Sequence, residues 1–358
     1  MLTERRQTRA VFKGGVQVGG GAPVSVQSMT KTHPEDVAET VRQIHELEAL
    51  GCDIIRVAVP TMAAARAVAD IRKEIGIPLV ADVHFDHRLA LESIRQGADC
   101  VRINPGNLRS RDDVAAVVAA AKEAGISIRV GVNSGSVRRR DGLEPAGGER
   151  DLVALMVDAA LGHCEFIESL GFGDLVLSLK ASGVPATMAA NRIIAERCDY
   201  PLHLGVTEAG TLEAATVKSA IGIGGLLAEG IGDTLRVSVT GPPHDEVRIG
   251  HDILRALEFE RGGVNLISCP TCGRCEIDLV RLVEEVKAKM PPVDVPLTVA
   301  VMGCVVNGPG EAAEADVGIA GGKGFGFLFR GGKKRRKVPE DKLADELIAE
   351  IESMLREG

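Results

Sequence analysis

Short β-branched apolar runs alternate with amphipathic stretches along the first two thirds of the chain. The runs cover 24–28, 54–59, 79–84, 100–103, 127–132, 175–179, 202–206 and 235–239. Between them, stretches such as 37–50, 112–124 and 152–170 carry helical periodicity. Strand–helix alternation implies parallel strands joined by helical crossovers. Eight such units predict an α/β fold of the (β/α)8 TIM-like barrel type. A doubly wound sheet is the alternative, but its glycine-rich turn follows the first strand, and here Gly19-Gly20-Gly21 precedes it.

A weak internal repeat points the same way. Gly51-Cys-Asp-Ile-Ile-Arg56 resembles Gly97-Ala-Asp-Cys-Val-Arg102, and Gly173-Asp174 and Gly232-Asp233 also stand just before strands. Each of these glycines is expected to end a helix. After about residue 260 the pattern changes. Arg261-Gly262-Gly263 reads as a linker, followed by a cysteine cluster, a helix over 276–289, a strand over 297–302, a glycine-rich region over 303–332 and a charged helix over 340–356. The expected domains are therefore a substrate-binding barrel, 1–260, and a smaller α+β domain, 264–358. The basic run Lys333-Lys-Arg-Arg-Lys337 reads as a solvated hairpin or loop, or as a docking site for an acidic protein.

Composition narrows the function. The formal net charge is -8, Trp is absent and Tyr occurs once, which disfavours nucleic-acid binding by charge or by stacking. No apolar run reaches the roughly 18 residues of a membrane-spanning helix. The residues after Met1 lead into no apolar signal segment, so the cytoplasm is the expected location. A disulfide framework is not expected for the eight cysteines. Cys52, Cys100, Cys164 and Cys198 are isolated and read as small buried hydrophobes.

In a barrel of this type the site lies at the C-terminal ends of the strands. Polar residues in or just beyond the predicted strands are Arg56, Asp82, His84, Arg102, Asn104, Arg129, Asn133, Lys180, Glu208, Arg236 and Ser238. Cations from several strands would form a positive cup, and a small polyanion with phosphate oxygens is the natural ligand. Asn104 and Asn133 fit either ligand binding or capping. Glu208 fits a proton donor or a charge-balancing ion pair, and His84 a substrate contact or a packing role.

Cys269-Pro-Thr-Cys272-Gly-Arg-Cys275 is followed by Gly303-Cys304-Val-Val-Asn307-Gly-Pro-Gly-Glu311. Thiolates two residues apart in a tight turn, closed by a distant cysteine, suit an iron–sulfur cluster, structural zinc or a redox dithiol. The single Cys304, in place of a second pair, and its Gly-Pro-Gly turn favour the cluster.

Together these motifs resemble the bacterial synthases of 4-hydroxy-3-methylbut-2-en-1-yl diphosphate, iron–sulfur enzymes of the non-mevalonate isoprenoid pathway. The resemblance spans essentially the whole chain. Besides the two cysteine motifs it includes Val26-Gln-Ser-Met-Thr-Lys-Thr32, Arg129-Val-Gly-Val-Asn133-Ser-Gly135, Ser178-Leu-Lys-Ala-Ser182 and Leu204-Gly-Val-Thr-Glu208-Ala-Gly210. It implies a cluster domain of sulfite-reductase-like type and the reductive ring opening of 2-C-methyl-D-erythritol 2,4-cyclodiphosphate. It implies a 4Fe–4S cluster on Cys269, Cys272, Cys304 and Glu311, with Cys275 a bystander. It assigns the diphosphate to Arg56, Arg102, Arg129 and Lys180, with His84, Asn133, Ser238 and Asn307 as further substrate contacts. Glu208 becomes a candidate proton donor, and Glu208 and Glu311 the catalytic carboxylates. A head-to-tail homodimer and an electron carrier, flavodoxin or ferredoxin, are also implied. The competing expectation is a zinc-containing barrel aldolase or synthase acting on a phosphorylated substrate, with Lys180 as a Schiff-base lysine.

Overall fold

The computed structural model describes residues 4–140, 149–259, 263–293, 295–304, 310 and 314–357. It divides into two compact units, Met1–Phe259 and Glu260–Gly358.

In the first unit a short antiparallel hairpin, β1 (Val11–Lys13) and β2 (Val16–Val18), precedes the barrel. The barrel strands are β3 (Ser25–Met29), β4 (Ile54–Ala58), β5 (Leu79–Asp82), β6 (Cys100–Ile103), β7 (Ser127–Asn133), β8 (Leu175–Lys180), β9 (His203–Leu204) and β10 (Thr234–Leu235). They pair in the order β8-β7-β6-β5-β4-β3-β10-β9. A parallel bridge between Leu177 and Leu202 joins β8 to β9 and closes the ring.

Side-chain alternation sorts these strands into an outer and an inner set. Ile55, Val57, Leu79, Ala81, Val101, Ile103, Ile128, Val130, Leu177 and Leu179 are fully or almost fully buried in the main apolar core. The alternate positions are polar toward the strand ends: Arg56, Asp82, Arg102, Arg129, Lys180. At the other end Ile54, Val80, Cys100 and Val176 form a small apolar floor with Val11 and Val18 of the hairpin. The hairpin, unanticipated from sequence, thus plugs one end of the barrel and leaves the polar end to the site.

The Gly–Asp repeat has a structural job. Asp53, Asp99 and Asp233 accept hydrogen bonds from the backbone N–H of Val26, Leu79 and Leu202 at 2.7, 2.8 and 2.9 Å. These bonds satisfy amides where neighbouring strands begin. Gly51 and Gly97 have positive φ after their helices, as expected. In the other two units the left-handed glycine after the helix is Gly171 or Gly230, two residues before Gly173 or Gly232. Gly173 itself has no positive φ, because Leu170 and Gly171 already close that helix.

The second unit is a five-stranded sheet, β11 (Gly263–Ser268), β12 (Pro296–Met302), β13 (Val317–Gly322), β14 (Phe325–Arg330) and β15 (Lys333–Pro339), in sequential order. β11, β12 and β13 run parallel, and β14 and β15 follow as antiparallel hairpins. Helices Leu279–Lys289 and Leu343–Glu357 contribute Leu282, Val286, Leu347 and Ile351 to a core with Val299, Val301, Ile319 and Leu328. The glycine-rich stretch therefore contains two strands. The basic run is the hairpin of the two expected forms and not the loop: it lies in β15, antiparallel to β14, because an edge strand needs only backbone partners and tolerates charge.

Candidate active site

Arg56, Asp82, Arg102, Arg129 and Lys180 gather at one end of the barrel because each occupies an inward position of its strand. The register sets Ala58 against Asp82, Asp82 against Arg102, and Arg102 against Arg129. Asp82 accepts from Arg102 Nη1 at 3.1 Å and lies 3.7 Å from Arg56 Nε. Burial alone would raise the Asp82 carboxyl, but Arg56, a hydrogen bond from His84 and Arg102 outweigh it and hold it well below the carboxylate range. His84 sits just beyond β5, exposed, with Nε2 2.9 Å from Arg102 Nη1.

Arg129 is almost fully buried, and among the described residues its side chain has only long polar contacts, 3.4 Å to Gln27 Oε1 and 3.3 Å to His203 Nε2. Burial, with Arg102 next, lowers its pKa to about 10. Lys180 is buried at the end of β8. Burial first, then the charges of Arg56, Arg129, Arg236 and Arg102, depress its pKa well below the usual lysine value. The backbone makes room for these side chains at two glycines. A Cβ on Gly131 would stand 2.6 Å from Arg102 Nε, and one on Gly205 2.5 Å from Lys180 Nζ.

Arg236 and Ser238 lie past the end of β10. The eighth strand is shorter than its alternating pattern predicts because the fully buried Glu246 reaches into this stretch. Its carboxylate accepts from Arg236 Nη2 at 2.8 Å, Arg236 Nε at 3.0 Å, Ser28 Oγ at 3.0 Å and the Val239 N–H at 3.4 Å. Arg236 Nη1 in turn donates to Ser238 Oγ at 3.0 Å. Arg56, Arg102, Arg129, Lys180 and Arg236 thus share two carboxylates, Asp82 and Glu246, and the surplus positive charge is the electrostatic signature of an anion site. Gln27, His203 and Glu246 were not singled out from sequence. Inward alternation along β3 and β9 marks the first two, whereas Glu246 reads as an ordinary first-turn acid of helix Pro243–Ala256.

Asn133 ends β7, and Asn104 caps a short 3-10 turn by accepting from Gly106 N–H at 3.0 Å. Glu208 is exposed in the loop after β9, with φ 54. Non-glycine residues at positive φ are strained and cluster at functional loops. Phe85, Glu208 and Thr271 are three of them, one beside His84 and one inside the first cysteine motif.

The cysteines are arranged by the second sheet. β11 and β12 are parallel neighbours, with Ser268 opposite Val301, so Cys269 and Gly303-Cys304 leave the sheet at the same end. Gly303 N–H donates to Cys269 Sγ at 3.3 Å. Cys272 is exposed; the Arg274 backbone and side chain draw its thiol below the usual value, and Cys304 is near enough to oppose that shift. Cys275 donates to the Ile277 carbonyl at 3.2 Å and packs against Gly303, where any Cβ would collide with its sulfur. Asn307 and Glu311 lie outside the described residues. Among the described residues no three His, Cys, Asp or Glu side chains form a group that could hold a metal ion. What fits a thiophilic metal group is the donor chemistry: Cys269 and Cys272 follow β11, and Cys304 follows β12 at the same end of the sheet. Of the isolated cysteines, Cys52, Cys100 and Cys164 are buried and Cys198 is half-buried.

No described helix is long and apolar enough to cross a membrane. The barrel resembles solved dihydropteroate synthases of Stenotrophomonas maltophilia (14% identity, TM-score 0.53) and Yersinia pestis (11%, TM-score 0.50), each match covering 70% of this chain and 97% of that chain. At such identities this is a likeness of fold. Closer are the proteins named 4-hydroxy-3-methylbut-2-en-1-yl diphosphate synthase (flavodoxin) from Geobacter sulfurreducens and Caldanaerobacter subterraneus subsp. tengcongensis. The first is 55% identical, covering 99% of each chain, and the second 54%, covering 100% of each. The GcpE TIM-barrel domain matches residues 8–251 and the GcpE protein C-terminal domain residues 265–353. Barrel, cysteine domain and near-complete alignment agree, and the chain belongs to the GcpE family.

Proposed function

We propose that this chain opens the ring of 2-C-methyl-D-erythritol 2,4-cyclodiphosphate to give 4-hydroxy-3-methylbut-2-enyl diphosphate in the non-mevalonate pathway. Two electrons and two protons enter and one oxygen leaves as water. The observation that carries this reading is the surplus of buried cations at the barrel end, in a chain aligned end to end with proteins of that name. Cys269, Cys272, Cys304 and Glu311 would hold a 4Fe–4S cluster, which would supply single electrons and a Lewis-acidic iron.

The chain's own residues position the substrate and move its protons. Arg56, Arg102, Arg129 and Lys180 hold the diphosphate, and His84, Asn133, Ser238 and Asn307 are its further hydrogen-bond partners. The cations stabilise diphosphate throughout the reaction, so their main contribution is orientation. The strained, exposed Glu208 delivers a proton. Flavodoxin, or a ferredoxin, brings the electrons in the cytoplasm. The barrel, 1–260, binds substrate and the second domain, 264–358, carries the cluster. In a head-to-tail homodimer the cluster of one chain serves the barrel of the other.

Anaerobically purified protein should contain about four iron and four acid-labile sulfide per chain and turn over the cyclodiphosphate with reduced flavodoxin. Zinc without sulfide would overturn the reading in favour of a metal-stabilised barrel synthase. The dimer has a separate test. Lys180→Met and Cys304→Ala chains, each inactive alone, should regain activity when mixed and exchanged. No recovery, with exchange verified by mass, would place both halves of the site in one chain.

A further inference from the structure

Five consecutive cations, Lys333 to Lys337, form the edge strand β15, all exposed, in a chain of formal net charge -8. Charge on an edge strand deters edge-to-edge pairing. Arg336 also has a structural task, pairing with Glu346 at 2.7 Å and Glu350 at 3.3 Å on the closing helix. Lys334 and Lys337 need another account.

Regular alternation would turn residues 334 and 337 to opposite faces. A bulge prevents that. Phe329 pairs with Lys334 and Leu328 with Arg336, which leaves Arg335 as the extra residue. Lys334 and Lys337 therefore share a face, opposite Phe329 and Phe327. Lys334 Nζ lies 3.1 Å from the Phe327 ring centroid, and Lys337 Nζ 3.8 Å from that of Phe325. Cation–π contact fixes two like charges on an aromatic surface without neutralising them. The helices pack on the other face, with Leu328 and Val338. The lysine face is the one on which Cys269 packs with Met302, Ala320, Phe327 and Phe329. One cross-strand row runs from Met302 through Ala320 and Phe327 to Lys337. At about 4.8 Å per strand this row spans roughly 14 Å, and Cys304 follows Met302 by two residues.

We propose that the β15 face carrying Lys334 and Lys337 is the docking surface for an acidic one-electron carrier protein. The inference rests on the proposed function and names where its electrons enter. Opposite charge draws the carrier in and fixes its register, and the aromatic row brings it beside the cysteine end of the sheet. Each docking moves one electron from the carrier's reduced flavin to the enzyme, and two dockings supply the pair consumed in ring opening.

The test uses the holoenzyme and purified flavodoxin. In Lys334→Glu/Lys337→Glu the dissociation constant for oxidised flavodoxin, measured calorimetrically at low salt, should rise about tenfold or more, and the difference should shrink as salt is added. Turnover driven by a reduced viologen should be unchanged. The milder Lys334→Gln/Lys337→Gln pair, which cannot repel the carrier, should weaken binding by a smaller factor. Unchanged flavodoxin affinity in both variants overturns the docking surface. Loss of viologen turnover together with flavodoxin binding in both variants would also overturn it, since the lysines would then hold the fold. No viologen turnover by the parent enzyme sinks the proposed function instead.

Discussion

At the barrel mouth, Arg102 is fixed by Asp82 at 3.1 Å and Arg236 by Glu246 at 2.8 Å, all within one chain and largely out of water. At the cysteine loops, Cys272 is exposed, Thr271 is strained at φ 49, and the thiols leave one end of the sheet without forming a metal-holding group among the described residues. The contrast reflects what each site binds. In the proposed function the barrel receives an anion that comes and goes, so its cations must be held apart in advance at the chain's expense. The cysteine loops would serve a group that, once bound, supplies its own bonds to order them.

The sharpest way to break this comparison is to remove one member from each side. Lys180→Met should lower kcat/KM by about a thousandfold while iron and sulfide per chain stay as in the parent. The same change should raise Tm by about a few degrees, because holding an amine buried among guanidinium groups, with its pKa forced well below the ordinary value, costs stability that methionine does not. Cys304→Ala should do the reverse: lose iron and sulfide, yet bind inorganic diphosphate with unchanged affinity. A Lys180→Met protein that loses its iron, or melts lower than the parent, would mean the two sites are not separable in this way.

An intermediate effect concerns Glu246. Breaking a buried ion pair by removing one partner costs about 3–5 kcal/mol. Glu246→Gln should therefore melt well below the parent. It also leaves Arg236 uncompensated, so a polyanion gains a partner that it lacked. Saturating inorganic diphosphate should raise Tm more in Glu246→Gln than in the parent. Equal shifts in the two proteins would show that Arg236 does not face the bound anion.

The same contrast explains what could be read from sequence. The eight barrel strands were legible because strands buried on both faces must be apolar outside, and the inward cations interrupt that pattern at its strand ends. The hairpin Val11–Val18 was not, since three-residue strands carry little periodicity and the buried Lys13 disguises one of them. Arg236-Val-Ser-Val239 alternates like a strand, yet Glu246, distant by several residues and indistinct in sequence, takes the Val239 amide. Charge left β15 undecided between a hairpin and a loop for a related reason: polarity predicts solvation, and an edge strand is solvated. Of the site, strand-end cations could be named individually. Gln27 and His203 could have been found by inward alternation along their strands, but their contacts with Arg129, like the clearances at Gly131 and Gly205, arise from register across the barrel, which only the folded chain displays.

The smallest effect tests preorganisation itself. Lys180 in the free protein is held well below its ordinary value by burial and by neighbouring cations. An anion in the cup adds opposite charge and pushes that value back up. In the pH window between the depressed value and the ordinary lysine value of about 10.4, the free group is mostly neutral and a bound group restored toward the ordinary value is charged. Binding must then take up protons. Calorimetric titration with inorganic diphosphate in two buffers of different ionisation enthalpy should show net proton uptake in that window, after correction for the ligand's own protonation. Lys180→Met should remove that uptake, while the iron-free Cys304→Ala protein should keep it. Proton release, or an uptake that Lys180→Met leaves intact, would mean that the cup is charged throughout and that its fifth cation is not held in reserve for the anion.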